Sequence, residues 1–134
     1  MSSTLVDSNV LIDLFDEASQ WRDWSDAMLT RCAARGPLVI NPIVYAEVSA
    51  GFDSLDDVEA ALPEAYIRRE PLPWAAAFLA GRAFLQYRRR GGSTPAPLPD
   101  FYIGAHAAVA GHTLLTRDAR RYRHYFPKLT VIAP

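Results

Sequence analysis

The sequence predicts an α/β fold built around a mainly parallel β-sheet. Short β-prone runs alternate along the chain with segments whose apolar residues recur at helical spacing. Half of the 134 residues are apolar, which is enough for one buried core in a chain of this length. Alternating strands and helices are typical of βαβ units, whose strands run parallel. We therefore expect a single domain that spans residues 1–134.

The first two predicted strands are the β-prone runs at Thr4–Val6 and Leu38–Ile40. The apolar residues behind Asp7 recur at helical spacing, so this acid lies where the first strand gives way to a helix. A second helix is predicted over residues 19–35, because glycine and proline end the pattern at residues 36–37.

Two capping signals predict the helices of the middle segment. Asn41 and Pro42 suit the start of a helix, since asparagine caps helix N-termini and proline favours the first helical position. Glu47 lies on the apolar stripe of that helix. Ser54 resembles the first residue of a capping box and predicts a short helix to about residue 62. Residues 65–73 are ambiguous, with an extended conformation as one interpretation.

A long amphipathic helix is predicted next, with Trp74 and Phe78 on its apolar stripe. A loop rich in glycine, serine and proline, which we expect to be mobile, covers residues 91–99. Pro99 suits the first position of the following helix, and Asp100 opens that helix on its core-facing side.

The end of the chain predicts a strand over residues 113–116, a helix over residues 118–124 and a final strand over residues 129–132. The sequence has no apolar run near the roughly 20 residues that span a bilayer. Its N-terminus lacks the basic and then apolar pattern of an export signal. We therefore expect a cytoplasmic protein that does not contact a membrane.

Four acidic residues occupy positions where a parallel sheet places ligand-binding groups. Asp7 and Asp118 follow predicted strands, Glu47 lies in the helix after the second strand, and Asp100 opens a helix. Ligands of open parallel sheets bind outside the carboxyl ends of the strands. Each acid alone is explained as a helix cap or a solvated residue. The informative feature is that all four can converge.

Converging carboxylates favour divalent-metal chemistry. They repel one another and raise each other's pKa unless a cation lies among them. Ligands that are all oxygen favour Mg²⁺ or Mn²⁺. One or two such ions can polarise a phosphodiester and activate a bound water. The pattern therefore predicts phosphodiester hydrolysis.

Other chemistry is disfavoured. His106, His112 and His124 show no paired ligand spacing, so we interpret them as surface or packing residues and do not expect zinc. Cys32 is the only cysteine, which excludes an internal disulfide. Asp13 lies two helical turns beyond the first strand and is interpreted as a solvated helix residue.

The acids lie within four stretches of sequence. These are VDSNVLIDLF at residues 6–15, NPIVYAEV at 41–48, PDFYIGAHA at 99–107 and LLTRD at 114–118. In this order and spacing they resemble the PIN-domain family, and most closely the VapC-type ribonuclease toxins of bacterial toxin–antitoxin pairs. The resemblance runs from about residue 5 to residue 131.

This resemblance implies a three-layer α/β/α sandwich and assigns a role to each motif residue. The implied metal-binding and catalytic acids are Asp7, Glu47, Asp100 and Asp118. The residues implied to support them by hydrogen bonds are Ser8, Asn9 and Thr116. The resemblance further implies Mg²⁺ or Mn²⁺, a homodimer, cleavage of structured RNA at a single-stranded site, and inhibition by a cognate VapB-type antitoxin.

Contacts with a nucleic acid must be local, because the net charge is −1. Thirteen of the fourteen basic residues are arginines, whose guanidinium groups pair well with phosphates. Tyr122 and Tyr125 lie among the later arginines, and tyrosine rings suit base stacking. The alternative is that the arginines are solvated helix ends. The candidates for RNA-backbone contacts are Arg88, Arg89, Arg90, Arg117 and Arg120.

Three alternatives remain. The site of a phosphatase of the haloacid dehalogenase type also begins with an acid after a strand, but it needs a second acid where this chain has Asn9. That family also uses a lysine upstream of its last acid, whereas the only lysine here, Lys128, lies beyond Asp118. A catalytically silent PIN-like module would bind RNA or a partner without cleavage. A DNA nuclease would use the same metal chemistry.

Overall fold

The computed structural model describes residues 2–92 and 98–134, which form five strands and seven helices. The strands are β1 (Thr4–Val6), β2 (Leu38–Ile40), β3 (Ile67–Arg69), β4 (Thr113–Leu115) and β5 (Val131–Ile132). The helices are α1 (Ser8–Phe15), α2 (Arg22–Arg35), α3 (Pro42–Ser49), α4 (Leu55–Ala61), α5 (Trp74–Arg89), α6 (Leu98–Ala110) and α7 (Arg120–Tyr125).

The five strands form one sheet in the order β3-β2-β1-β4-β5, and every neighbouring pair is parallel. Thr4 at the start of β1 lies opposite Leu38 of β2 and Thr113 of β4. The three central strands are short apolar runs with little exposure, as expected for a sheet that helices cover on both faces. The predicted mainly parallel α/β fold is confirmed.

Helices pack in two groups. The first group joins α1 to α2 and α3, and α3 to α4; the second joins α5 to α6 and α6 to α7. The two groups also meet, since α3 contacts α6. Right-handed crossovers explain the division, because the chain moves from β1 toward β3 through the first group and returns through the second. The structure has the layers of an α/β/α sandwich, as the family resemblance implied.

The core lies on both faces of the sheet. Leu5 and Val6 of β1 are completely buried, as are Val10 of α1 and Phe101 and Ile103 of α6. Since β1 is the central strand, the residues that follow it are held between the two helical layers. This position fixes the start of α1 and with it the first acid.

The structure resolves one segment that the sequence left open and corrects one expectation. The ambiguous segment 65–73 contains β3, an edge strand of only three residues whose period-2 signal is too short to recognise. The face of α5 that carries Trp74 and Phe78 points outward, since these residues are 90% and 72% exposed. The buried face of α5 is made of alanines, whose small side chains allow α5 to pack closely along α6.

The loop predicted to be mobile, residues 91–99, falls largely on residues 93–97, which lie outside the described residues. Within residues 2–92 and 98–134, no helix is both long enough and apolar enough to cross a membrane.

Candidate functional site

The strand order reverses at the centre of the sheet. From β1 the chain proceeds through β2 to β3 on one side, whereas β4 and β5 lie on the other side. Such a switch point opens a crevice outside the carboxyl ends of the two central strands. Asp7 directly follows β1, and Thr116 directly follows β4, so both residues lie at this crevice.

Asp7 is the most constrained acid at the crevice. It caps α1, is only 4% exposed, and accepts a hydrogen bond from the Ser8 backbone N–H at 2.8 Å through Oδ1. Its Oδ2 accepts hydrogen bonds from the Thr116 hydroxyl at 2.8 Å and from the Tyr122 hydroxyl at 2.9 Å. These donors hold the carboxylate in one orientation.

Glu47 is joined to Asp7 through Ser8. The Ser8 hydroxyl donates a hydrogen bond to Oε1 of Glu47 at 2.9 Å. Asn41 positions the helix that carries Glu47, because its side-chain oxygen caps α3 by accepting from the Val44 N–H at 3.0 Å. Glu47 therefore extends from α3 to the first turn of α1.

Asp100 completes a group of three interacting acids. Burial raises the pKa of Asp7, and the charge of Asp100 raises it further, while hydrogen bonds from Thr116 and Tyr122 act in the opposite direction. Burial also raises the pKa of Glu47, and the charges of Asp7 and Asp100 add to this effect. The three carboxylates thus repel one another when ionised.

A cation of the protein itself already faces this group. Nη1 of Arg121, on α7, lies 2.7 Å from Oδ2 of Asp100 in an ion pair that is partly exposed on both sides. Arg121 was not among the candidates from sequence, because its place within an arginine-rich run does not distinguish it from its neighbours.

Asp118 lies at the exposed mouth of the crevice. Its backbone N–H donates to the Thr116 hydroxyl oxygen at 3.1 Å, and its own side chain is exposed. Asn9 joins α1 to the segment after β4, since its Nδ2 donates to the Thr116 hydroxyl oxygen at 3.3 Å and its Oδ1 accepts from the Arg117 N–H at 3.2 Å. The backbone of Asp118 is thus joined to the buried Asp7 through the Thr116 hydroxyl.

The acids are close without forming a closed metal cage. Among the described residues, the only cluster whose three ligand atoms all lie within 4.8 Å of one another is Glu70, His106 and His112, and it does not include the four predicted acids. An ion held by Asp7, Glu47 and Asp100 would therefore need waters among its ligands. Mg²⁺ commonly retains such waters in proteins.

Tyr122 has a different place from the one expected. It is 2% exposed, and its hydroxyl is bound to Asp7, so its ring is unavailable for stacking on a base. Burial and the nearby acids raise the pKa of Tyr122 well above its usual value, which keeps the hydroxyl protonated as a donor. Nothing in the local pattern separates Tyr122 from Tyr125, which instead packs against Phe101.

Asp13 is buried rather than solvated. Only 2% of it is exposed, because the Ser19 and Ser25 hydroxyls donate to its carboxylate at 2.9 and 2.7 Å. Arg117 pairs with the same carboxylate at 2.7 Å, and its guanidinium lies 6.0 Å from the centre of the Trp21 ring. Arg117 is therefore engaged within the protein, which weakens its candidacy as an RNA contact.

The other arginine candidates are more accessible. Arg88, Arg89, Arg90 and Arg120 are all exposed. Arg120 lies with Asp118 and Arg121 on the wall of one open cavity of about 720 Å³. This cavity joins the mouth of the crevice to α7.

The sequence matches one known protein family over most of its length. The family model of the PIN domain matches residues 4–127. The chain belongs to the PIN domain family. No curated protein sequence shows significant similarity to it.

Solved structures share the PIN fold over almost the entire chain. VapBC2 from Rickettsia felis, bound to a promoter DNA fragment, aligns with a TM-score of 0.75 at 17% identity and covers 98% of both chains. VapBC-1 from nontypeable Haemophilus influenzae has a TM-score of 0.73 at 16% identity and covers 98% of this chain and 97% of that chain.

A toxin–antitoxin complex from Klebsiella pneumoniae gives a similar result. Its TM-score is 0.69 at 22% identity, with 96% of this chain and 95% of that chain covered. At these identities the likeness establishes the PIN fold, and the chemistry of the site has to be argued from its own residues.

Proposed function

We propose that this PIN domain is a Mg²⁺- or Mn²⁺-dependent endoribonuclease of the VapC type, with Asp7, Glu47, Asp100 and Asp118 as its catalytic acids. The observation that carries the proposal is the buried carboxylate of Asp7 at the switch point of the sheet. The pKa values of Asp7 and Glu47 are both raised, and neighbouring acids with raised pKa values are typical of functional sites.

The donor set fits a hard divalent cation. Carboxylate oxygens suit Mg²⁺ and Mn²⁺, and a cation would relieve the mutual repulsion of Asp7, Glu47 and Asp100. When bound, such an ion would polarise a phosphodiester and lower the pKa of a bound water. We assign Asp7 and Asp100 as its direct ligands.

The remaining residues would position the reacting groups. Glu47 and Asp118 would complete the site or orient the attacking water. Ser8 holds Glu47, while Thr116 and Tyr122 prevent the Asp7 carboxylate from rotating. Fixed orientation favours catalysis because the groups need no reorganisation when the reaction occurs.

RNA would be bound by the exposed arginines beside the crevice. Arg120 lines the cavity at its mouth, and Arg88, Arg89 and Arg90 lie at the end of α5. Guanidinium groups pair with phosphates in two-pronged geometry. The net charge of −1 makes this local cluster the expected source of affinity.

We also propose a VapB-type antitoxin as partner and a homodimeric state. The antitoxin partner is supported by the structural neighbours, which are VapBC and toxin–antitoxin complexes. The homodimer is what the resemblance to VapC-type toxins implies. Co-expression with the product of an adjacent small gene, followed by size-exclusion chromatography with light scattering, tests both points. A chain that remains monomeric and unpartnered would contradict them.

The test of the activity uses purified protein free of any antitoxin. It is incubated with total cellular RNA in Mn²⁺ or Mg²⁺, and new RNA ends are mapped by sequencing. We expect discrete cuts that disappear with chelator and with Asp7→Asn, and that persist with Asp26→Asn, which changes an exposed acid on α2.

Parallel arms separate the alternatives. Single-stranded DNA of the same sequence should remain intact, and cleavage of DNA in preference to RNA would instead identify a deoxyribonuclease. Intact RNA together with measurable RNA binding would identify a catalytically silent module and overturn the proposal.

A further inference from the structure

A second cluster of titratable groups lies outside the acidic site. It consists of Glu70, which follows β3, His106 in α6, and His112 just before β4; we refer to these three residues as the Glu70 cluster. Oε1 of Glu70 lies 3.2 Å from Nε2 of His106 and 2.7 Å from Nε2 of His112. Three separate elements of the fold therefore present one ligand atom each to a common point.

Burial distinguishes the members of the Glu70 cluster. The side chains of His106 and His112 are 1% and 4% exposed, whereas that of Glu70 is 25% exposed. The two imidazoles are thus held inside the protein, and the carboxylate side of the cluster opens to solvent. A cation could enter from that side and keep a water ligand.

The outer nitrogen of each imidazole is also occupied. Nδ1 of His112 contacts the Ser3 hydroxyl, and Nδ1 of His106 lies 3.0 Å from Nδ2 of Asn41. These contacts fix the ring orientations and direct both Nε2 atoms toward Glu70. Metal-binding histidines in proteins normally donate an N–H from their second nitrogen, and the Ser3 hydroxyl oxygen can accept such a bond from His112.

We propose that Glu70, His106 and His112 form a binding site for Zn²⁺ that is separate from the acidic site. Two imidazole nitrogens and one carboxylate oxygen are a donor set that favours Zn²⁺ over Mg²⁺. Burial lowers the pKa of His106, although Glu70 opposes the effect.

Asn41 sets the affinity of the site. Its Oδ1 is committed to the Val44 N–H at the start of α3, so its amide N–H₂ group faces Nδ1 of His106. His106 therefore carries its proton on Nε2, and this N–H donates a hydrogen bond to Glu70. If Zn²⁺ binds Nε2, the proton of the neutral imidazole must move to Nδ1, where it needs a hydrogen-bond acceptor. Asn41 can accept from Nδ1 only if its amide rotates, and the rotation would break the helix-capping bond to the Val44 N–H.

This conflict leads to a directional prediction for Asn41→Asp. A carboxylate at position 41 can accept from the Val44 N–H and from the Nδ1–H of His106 at the same time. The variant should therefore bind Zn²⁺ about tenfold more tightly, in line with the usual effect of groups that support metal-binding histidines. A network that serves only to join the elements by hydrogen bonds would bind no Zn²⁺ in either form.

Binding is measured on full-length protein stripped with chelator. Equilibrium dialysis against Zn²⁺, with Mg²⁺ in large excess to occupy the acidic site, is followed by elemental analysis. We expect about one Zn²⁺ per chain and at least about tenfold weaker binding in His112→Gln and Glu70→Gln. His124→Gln is the matched control, because the third histidine lies on α7 and is exposed.

Circular dichroism verifies that each variant is folded. If the Glu70 cluster variants do not fold, the Zn²⁺ affinity of Asn41→Asp relative to the wild type tests the proposal. Absence of Zn²⁺ from the wild type would overturn the proposal. Equal Zn²⁺ affinity in wild type and folded His112→Gln, or unchanged or weaker affinity in Asn41→Asp, would do so as well. None of these results depends on RNA cleavage, so the nuclease proposal is tested separately.

Discussion

The acidic site and the Glu70 cluster contain the same functional group in opposite electrostatic surroundings. Burial and neighbouring carboxylates raise the pKa values of Asp7 and Glu47. Burial alone would also raise the pKa of Glu70, but hydrogen bonds and charge from His112 and His106 bring it below its usual value. The charged and hydrogen-bonding groups around a carboxylate therefore determine whether its ionised form opposes folding or supports it.

The two regions should respond to pH in opposite directions. An acid whose pKa is raised on folding destabilises the protein once it ionises, so stability falls as pH rises through the folded-state pKa. An acid whose pKa is lowered stabilises the protein above its unfolded-state pKa, and this contribution is lost as pH falls through the folded-state pKa. Asp7 and Glu47 follow the first pattern, and Glu70 follows the second.

The largest expected effect is that of Asp7→Asn. Cleavage should fall at least about 100-fold, because the variant removes a charged ligand worth several kcal/mol to the transition state. In metal-free buffer at neutral pH, its free energy of unfolding should exceed that of the wild type, since a buried charge is removed. Urea unfolding should show this gain disappear below the ordinary aspartate pKa of 3.8. Full cleavage by Asp7→Asn would refute the assignment.

A smaller effect is expected for Tyr122→Phe. The variant keeps the ring and removes one of the two side-chain donors to Oδ2 of Asp7. Loss of about 1.5 kcal/mol would slow cleavage about tenfold. Because this donor lowers the pKa of Asp7, its removal should shift the acid limb of the pH–rate profile to higher pH. Tyr66→Phe, at an exposed position, is the control; an unshifted profile would contradict the positioning role of Tyr122.

For Glu70→Gln we expect a loss of about 1–2 kcal/mol in unfolding free energy at pH 7, because two hydrogen bonds to a charged acceptor are weakened. The loss should shrink as pH falls below the ordinary glutamate pKa of 4.5. Chemical denaturation across this range, with exposed Glu17→Gln as control, provides the measurement. A loss independent of pH would mean that packing rather than charge explains the effect.

The smallest effect should come from replacing the exposed run Arg88, Arg89 and Arg90 with alanine. RNA binding should weaken a few-fold, and the slope of log affinity against log salt should flatten by about 0.7 for each lost phosphate contact. Fluorescence anisotropy with the cleavage-deficient Asp7→Asn background measures both quantities. Arg31→Ala on α2 is the control. An unchanged slope would remove this run from the RNA-binding surface.

Local interactions made much of the secondary structure predictable from sequence. The caps at Asn41 and Ser54 each bond a backbone N–H three residues later, and both helices begin where these residues indicate. The apolar runs of β1 and β2 likewise have the predicted bounds, since continuous burial leaves a pattern within a few residues. The segment of β3 was left open as ambiguous, because three residues at a sheet edge carry too little of that pattern.

The candidate acids were also accessible from sequence, because each follows or accompanies a predictable element at the carboxyl edge of the sheet. Their surroundings were not. Tyr122 reaches Asp7 across 115 residues of sequence, and Asp13 is covered by Ser25 of another helix. The aromatic stripe of α5 proved to be exposed because alanines form the face that packs on α6.

The helices, most of the strands and the positions of four acids relative to the strand ends were predictable from sequence, since these features arise from hydrogen bonds and periodicities within a few residues. The contacts between distant side chains, in contrast, depend on the tertiary structure. His106 and His112 come to Glu70 from 36 and 42 residues away, through the order of the strands and the packing of α6 over the sheet. Such contacts depend on how layers stack, which no local pattern records.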